Sequence, residues 1–132
     1  MVTVFAGGVL ALPYVLYARR SRDRRRVFAI GLAVAALVYV ALAAFRGTGG
    51  ELLVEAGGVM LFGIVAVLGV RHSIYWLALG WAAHVGWDLL LHPAGASSYA
   101  PWWYPVICIG FDLVVAGAIV SATAPPRRGD HA

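Results

Sequence analysis

The stretch Ile74-Tyr75-Trp76-Leu77-Ala78-Leu79-Gly80-Trp81-Ala82-Ala83-His84-Val85-Gly86-Trp87-Asp88-Leu89-Leu90-Leu91-His92 decides the fold. Its apolar run, Ile74 to Leu91, is long and apolar enough to read as a membrane-spanning helix, for which roughly 17–25 residues suffice. Yet it carries His84, Asp88 and His92 at i, i+4 and i+8. Positions four apart on a helix share a face, so the three form one polar stripe. An ionisable group inside a spanning segment is costly, and by default it marks a functional site.

Working outward, four more apolar runs appear: Val2 to Ala18, Val27 to Phe45, Leu52 to Val70, and Val106 to Ala124. The chain is 62% hydrophobic and only 12% charged. A soluble domain holds about 45–50% apolar and about 25% charged residues. The expected fold class is therefore all-α: a polytopic transmembrane helix bundle of five spans, forming one integral membrane domain over residues 1–132. The run Val2 to Ala18 is the shortest of these four and contains Gly7, Gly8 and Pro13, which predict a kink or tilt. Its charge follows the apolar core instead of preceding it, so it reads as an anchor and not as a cleaved signal.

The charges orient the bundle. All ten basic residues counted with Lys are arginine, and six of them lie from Arg19 to Arg26. Placing that loop in the cytoplasm leaves only Arg46 outside, with Arg71, Arg127 and Arg128 inside. The N-terminus is then outside and the C-terminus cytoplasmic. The net charge of +4 is a topology signal and implies no nucleic-acid partner. The partner is the lipid bilayer, and a homo-oligomer is left open. A composition rich in Ala, Gly, Val and Arg without Lys points to a GC-rich bacterial genome, and so to the inner membrane of a bacterial cell. The single cysteine, Cys108, excludes an internal disulfide. It reads as a small apolar filler.

In that topology Glu51 and Glu55 open the third span, Asp88 and His92 end the fourth, and Asp112 lies roughly 10 Å into the fifth at ~1.5 Å per residue. With His84, all fall in the outer half of the membrane. Buried carboxylates must hold protons or a cation. The expected metal ligands are His84, Asp88, Asp112, Glu55 and His92. Imidazole with carboxylate suits zinc, iron or manganese. If the site hydrolyses a lipid or other amphipathic substrate, Asp88 or Glu55 is the expected general base for a metal-activated water. A third reading makes the cluster packing glue between helices. Glu51 and His92 could also sit in interfacial water. His72 and His131 are expected to be exposed on the cytoplasmic side.

Tyr99, Trp102, Trp103 and Tyr104 lie in the loop before the fifth span, where they suit a membrane interface or a lid over the cluster. Ser97 and Ser98 could approach His92, although no triad spacing supports them. The second run, in which Tyr39 is the single polar-tipped residue, reads as a support helix. Gly31, Ala35, Ala36, Gly57 and Gly58 read as sites of close helix approach.

Glu51-Leu52-Leu53-Val54-Glu55-Ala56-Gly57-Gly58, Leu79-Gly80-Trp81-Ala82-Ala83-His84-Val85-Gly86-Trp87-Asp88 and Tyr104-Pro105-Val106-Ile107-Cys108-Ile109-Gly110-Phe111-Asp112 resemble a family of small uncharacterised bacterial integral membrane proteins with an HxxxD motif. The resemblance implies a membrane location and a shared polar motif, and no activity. A weaker likeness is to intramembrane metal-dependent lipid hydrolases such as alkaline ceramidases. This chain departs from them in its five expected spans, its two membrane histidines and its lack of a clear catalytic serine.

Overall fold

A computed structural model describes residues 1–93 and 99–123. It contains five helices: α1 (Val2–Arg20), α2 (Arg24–Arg46), α3 (Gly49–Arg71), α4 (Tyr75–Leu91) and α5 (Trp103–Thr123). Four of them, α1, α2, α3 and α5, are long and apolar enough to cross a membrane. Helix α4 has 17 residues, or about 26 Å at 1.5 Å per residue, a little short of a ~30 Å hydrocarbon core.

Local chemistry sets the helix ends, and it extends several beyond the apolar runs. Helix α2 starts at Arg24 because the Asp23 side chain accepts from the Arg26 backbone N–H, capping the helix ahead of its arginines. Helix α3 starts at Gly49 through a capping box. The Thr48 hydroxyl accepts from the Glu51 N–H while the Glu51 carboxylate accepts from the Thr48 N–H at 2.6 Å. Helix α5 begins at Trp103, with Pro105 in its first turn, where the missing N–H would have had no intrahelical partner. Helix α1 runs unbroken as a helix across Pro13.

The helices pack in the series α1–α5–α4–α3–α2. Small residues draw the first pair together: a Cβ on Gly7 would collide with the Ile107 carbonyl, and one on Gly110 with the Val4 carbonyl. Gly58 similarly admits the Trp87 ring, whereas Gly57 faces open space. The ends of the series meet where α1 touches α2, yet α2 and α5 stay apart, with no Cα of one within 8 Å of a Cα of the other. Tyr14 of α1 wedges between them, its hydroxyl donating to the Val27 carbonyl at 2.9 Å and its ring 5.5 Å from that of Phe111.

The outside of the bundle is apolar: Leu37, Leu53, Ile64, Leu79 and Leu113 are all at least half exposed. So much exposed apolar surface suits contact with lipid. The inside holds Trp81, Phe28, Phe62, Leu32 and Leu77 together with five buried ionisable residues: Glu55, His84, Asp88, His92 and Asp112. At the end carrying the Arg19–Arg26 loop, Arg19 donates to the Ala118 carbonyl and the Ser121 hydroxyl, and Arg25 to the Val70 carbonyl. These guanidiniums satisfy late carbonyls of α5 and α3, where a cation also complements the helix dipole. His72, at the same end, is exposed.

Candidate functional site

The buried ionisable residues form two groups towards the end opposite the Arg19–Arg26 loop. The first joins α4 to α5. His84 and Asp88 lie one turn apart on α4, and Asp112 faces them from α5. His84 Nδ1 is 2.8 Å from Asp112 Oδ2 and 3.8 Å from Asp88 Oδ2. The Tyr39 hydroxyl of α2 donates to Asp88 Oδ1 at 2.7 Å. Phe62 of α3 packs edge-on against the His84 ring at 4.9 Å between centroids. All three ionisable side chains are at most 2% exposed.

One donor atom from each of His84, Asp88 and Asp112 lies within 4.8 Å of the others, a group able to hold a metal ion. Donors around one zinc at about 2.0–2.2 Å sit roughly 3.3 Å apart in a tetrahedron. The 2.8 and 3.8 Å separations bracket that spacing. Asp88 Oδ2 and His84 Nε2 are both buried without a hydrogen-bond partner among the described residues. A bare carboxylate oxygen in an apolar interior is unfavourable unless a proton or cation meets it.

The second group joins α3 to α4 and the following loop. Glu55 Oε1 accepts from the Tyr99 hydroxyl at 2.6 Å and lies 3.0 Å from His92 Nε2. Glu55 Oε2 accepts from Trp87 Nε1 at 3.2 Å. Burial and the adjacent Glu55 carboxylate hold the Tyr99 hydroxyl above the ordinary tyrosine range, so it stays protonated as a donor. Both Glu55 oxygens are therefore engaged. The His92 ring stacks on Tyr39, 4.2 Å between centroids and 7° from parallel, so Tyr39 touches both groups.

The expected single stripe is thus divided. His92 does not continue the His84–Asp88 face, because α4 ends at Leu91 and His92 is a non-helical cap at φ −124°, ψ 48°. From there it reaches Glu55. It is buried, at 1% exposure, and not in interfacial water. Glu51 serves the Thr48 capping box. The aromatic loop divides as well: Tyr99 is buried and Tyr104 lies 5.4 Å edge-on from Tyr39, while Trp102 and Trp103 are exposed, as interfacial residues would be. Ser97, Ser98, Arg127, Arg128 and His131 lie outside the described residues.

Sequence reasoning missed two contributors. Tyr39 was readable as the one polar-tipped residue in a run of Ala, Val and Leu, where a buried hydroxyl needs a partner. Trp87 carries a polar N–H one turn from His84, and its ring hid that donor among apolar neighbours. Cys108 is buried one turn before Asp112 on α5.

No curated protein and no solved structure matches the chain. A model of a family of unknown function, DUF6010, matches residues 1–125, and the chain belongs to that family.

Proposed function

We propose that this is a small five-span membrane protein that binds a divalent cation through His84, Asp88 and Asp112. The bare Asp88 Oδ2 beside His84 and Asp112 carries the reading. Charge supports it. With a neutral imidazole and two carboxylates, one divalent cation makes the group electroneutral, the state a low-dielectric interior favours. Zinc, iron and manganese suit the donor set. The same group is also neutral with two protons, one on His84 facing Asp112 and one on Asp88.

Glu55 and His92 stand outside this ligand set, since they lie against each other at 3.0 Å and Tyr99 and Trp87 occupy the Glu55 carboxylate. Neither expected general base keeps a free oxygen once a cation is bound: both Glu55 oxygens are engaged, and Asp88 offers Oδ1 to Tyr39 and Oδ2 to the cation. With the Arg19–Arg26 loop cytoplasmic, the site lies in the extracytoplasmic half of the membrane.

Elemental mass spectrometry of the protein purified in mild detergent tests the reading, with His84→Ala alongside. Near-stoichiometric zinc, iron or manganese in the native protein, lost in a folded His84→Ala variant, is the expected result. A folded native protein that takes up none of these metals, even when they are added, overturns the cation reading and leaves the two-proton form.

A further inference from the structure

The gap between α2 and α5 is a cavity of about 340 Å³ that reaches the polar group from the side. Val34, Ala35 and Val38 of α2 and Ile107 and Phe111 of α5 form its walls. Tyr104 lies towards one end and Tyr14 towards the other, and Asp112, Cys108 and Trp81 line its depth. Ligand pockets commonly measure about 300–1,000 Å³, with mostly apolar walls and a few placed polar groups. Both flanking helices are apolar enough to cross a membrane, so the molecules at its mouth are lipids. A second observation points to a ligand. Trp81 is 1% exposed, and its indole N–H meets no acceptor among the described residues.

We infer that this cleft binds a single-chain lipid. Its acyl chain would lie along Val34, Val38 and Ile107, and a carbonyl or hydroxyl oxygen would accept from Trp81 beside Asp112. The volume suits one chain better than a whole diacyl lipid. Selectivity must come from the polar end, because an alkyl chain gains little by leaving one apolar environment for another. A hydrocarbon therefore has no reason to concentrate in the cleft, whereas a chain carrying a hydrogen-bond acceptor has one. This binding goes beyond the cation reading and does not depend on it.

The test uses the full chain in phosphatidylcholine vesicles with a palmitoyl monoacylglycerol bearing a diazirine in its chain, and a diazirine hydrocarbon as control. Labelled positions are mapped by peptide mass spectrometry. Labelling by the monoacylglycerol should concentrate on the cleft walls of α2 and α5 and be competed by unlabelled monopalmitoylglycerol. The hydrocarbon should label exposed faces evenly. Val38→Trp, which fills the cleft, should remove the competable fraction. Trp81→Phe, which keeps the ring and loses the N–H, should lower it about threefold to tenfold. Monoacylglycerol labelling spread evenly over Leu37, Ile64 and Leu113, uncompeted and unchanged in folded Val38→Trp and Trp81→Phe, overturns the inference. Metal content measured on the same samples separates this outcome from a failure of the cation reading.

Discussion

Glu55 and Asp88 are both buried carboxylates towards the same end of one bundle, yet their surroundings differ in kind. Glu55 has both oxygens covered, by Tyr99, His92 and Trp87. Asp88 has Oδ1 covered by Tyr39 and Oδ2 bare. A satisfied carboxylate ties elements together, here α3, α4 and the loop that leads into α5. A half-satisfied one in an apolar interior is unfavourable unless something else binds there, so it marks a site. Depth and residue type alone do not separate the two carboxylates; whether both oxygens are engaged does, while the ring nitrogens of His92 beside Glu55, like His84 Nε2, have no hydrogen-bond partner among the described residues.

The largest expected effect falls on binding. Asp88→Asn removes a charged ligand and keeps a carbonyl oxygen for Tyr39. Metal affinity should drop about a thousandfold, or ~4 kcal/mol, while stability against SDS-induced unfolding changes by less than ~1 kcal/mol. Isothermal titration with zinc beside an unfolding curve reads both. A large loss of stability with affinity retained would make Asp88 the glue and erase the contrast.

Glu55→Ala should show the opposite pattern. It strands His92, Tyr99 and Trp87 together, and a buried donor left without its acceptor is costly. In a membrane each lost bond costs less, so about 2–3 kcal/mol is expected. Metal stoichiometry per folded molecule should be unchanged. Loss of metal from folded Glu55→Ala would return Glu55 to the ligand set. Tyr39→Phe tests the residue shared by both groups. It keeps the ring stacked on His92 and removes the hydroxyl that orients Asp88. Partners of this kind typically cost about 10–100-fold in metal affinity, and titration of the variant should find a loss near the lower end.

The fold was legible because apolar runs of spanning length have few alternatives. Its edges were less so. Charges at Arg24 to Arg26 and the proline at position 105 look like breaks, yet a cap at Asp23 and the tolerance of a first turn for proline carry helices across them. Thr48 and Glu51 did spell a capping box, and reading Glu51 as part of the cluster overlooked it. Within the site, the spacing of His84 and Asp88 on one helix was readable, since i and i+4 fix a face. Which face of α3 and α5 met it was not, because helix rotation depends on small-residue contacts such as Gly7 with Ile107 and Gly58 with Trp87. The place where α4 stops decided the rest: one more helical residue would have kept His92 in the stripe.

The smallest expected effect sharpens the structural half of the contrast. Tyr99→Phe removes one bond to a carboxylate that keeps Trp87 and His92. Such a bond in a membrane protein is worth about 0.6–1.7 kcal/mol, so the loss should be under half that of Glu55→Ala. Its pH dependence has a definite sign. The Tyr99 hydroxyl titrates above its ordinary range in the folded protein. Its stabilising contribution is therefore fully present at neutral pH and declines only above about pH 10, where the unfolded chain's tyrosine ionises. Unfolding curves of the native protein and Tyr99→Phe should run parallel through neutrality and converge in strong alkali. Convergence below about pH 8 would mean that Tyr99 is not held by Glu55, and that the second group is open to exchange like the first.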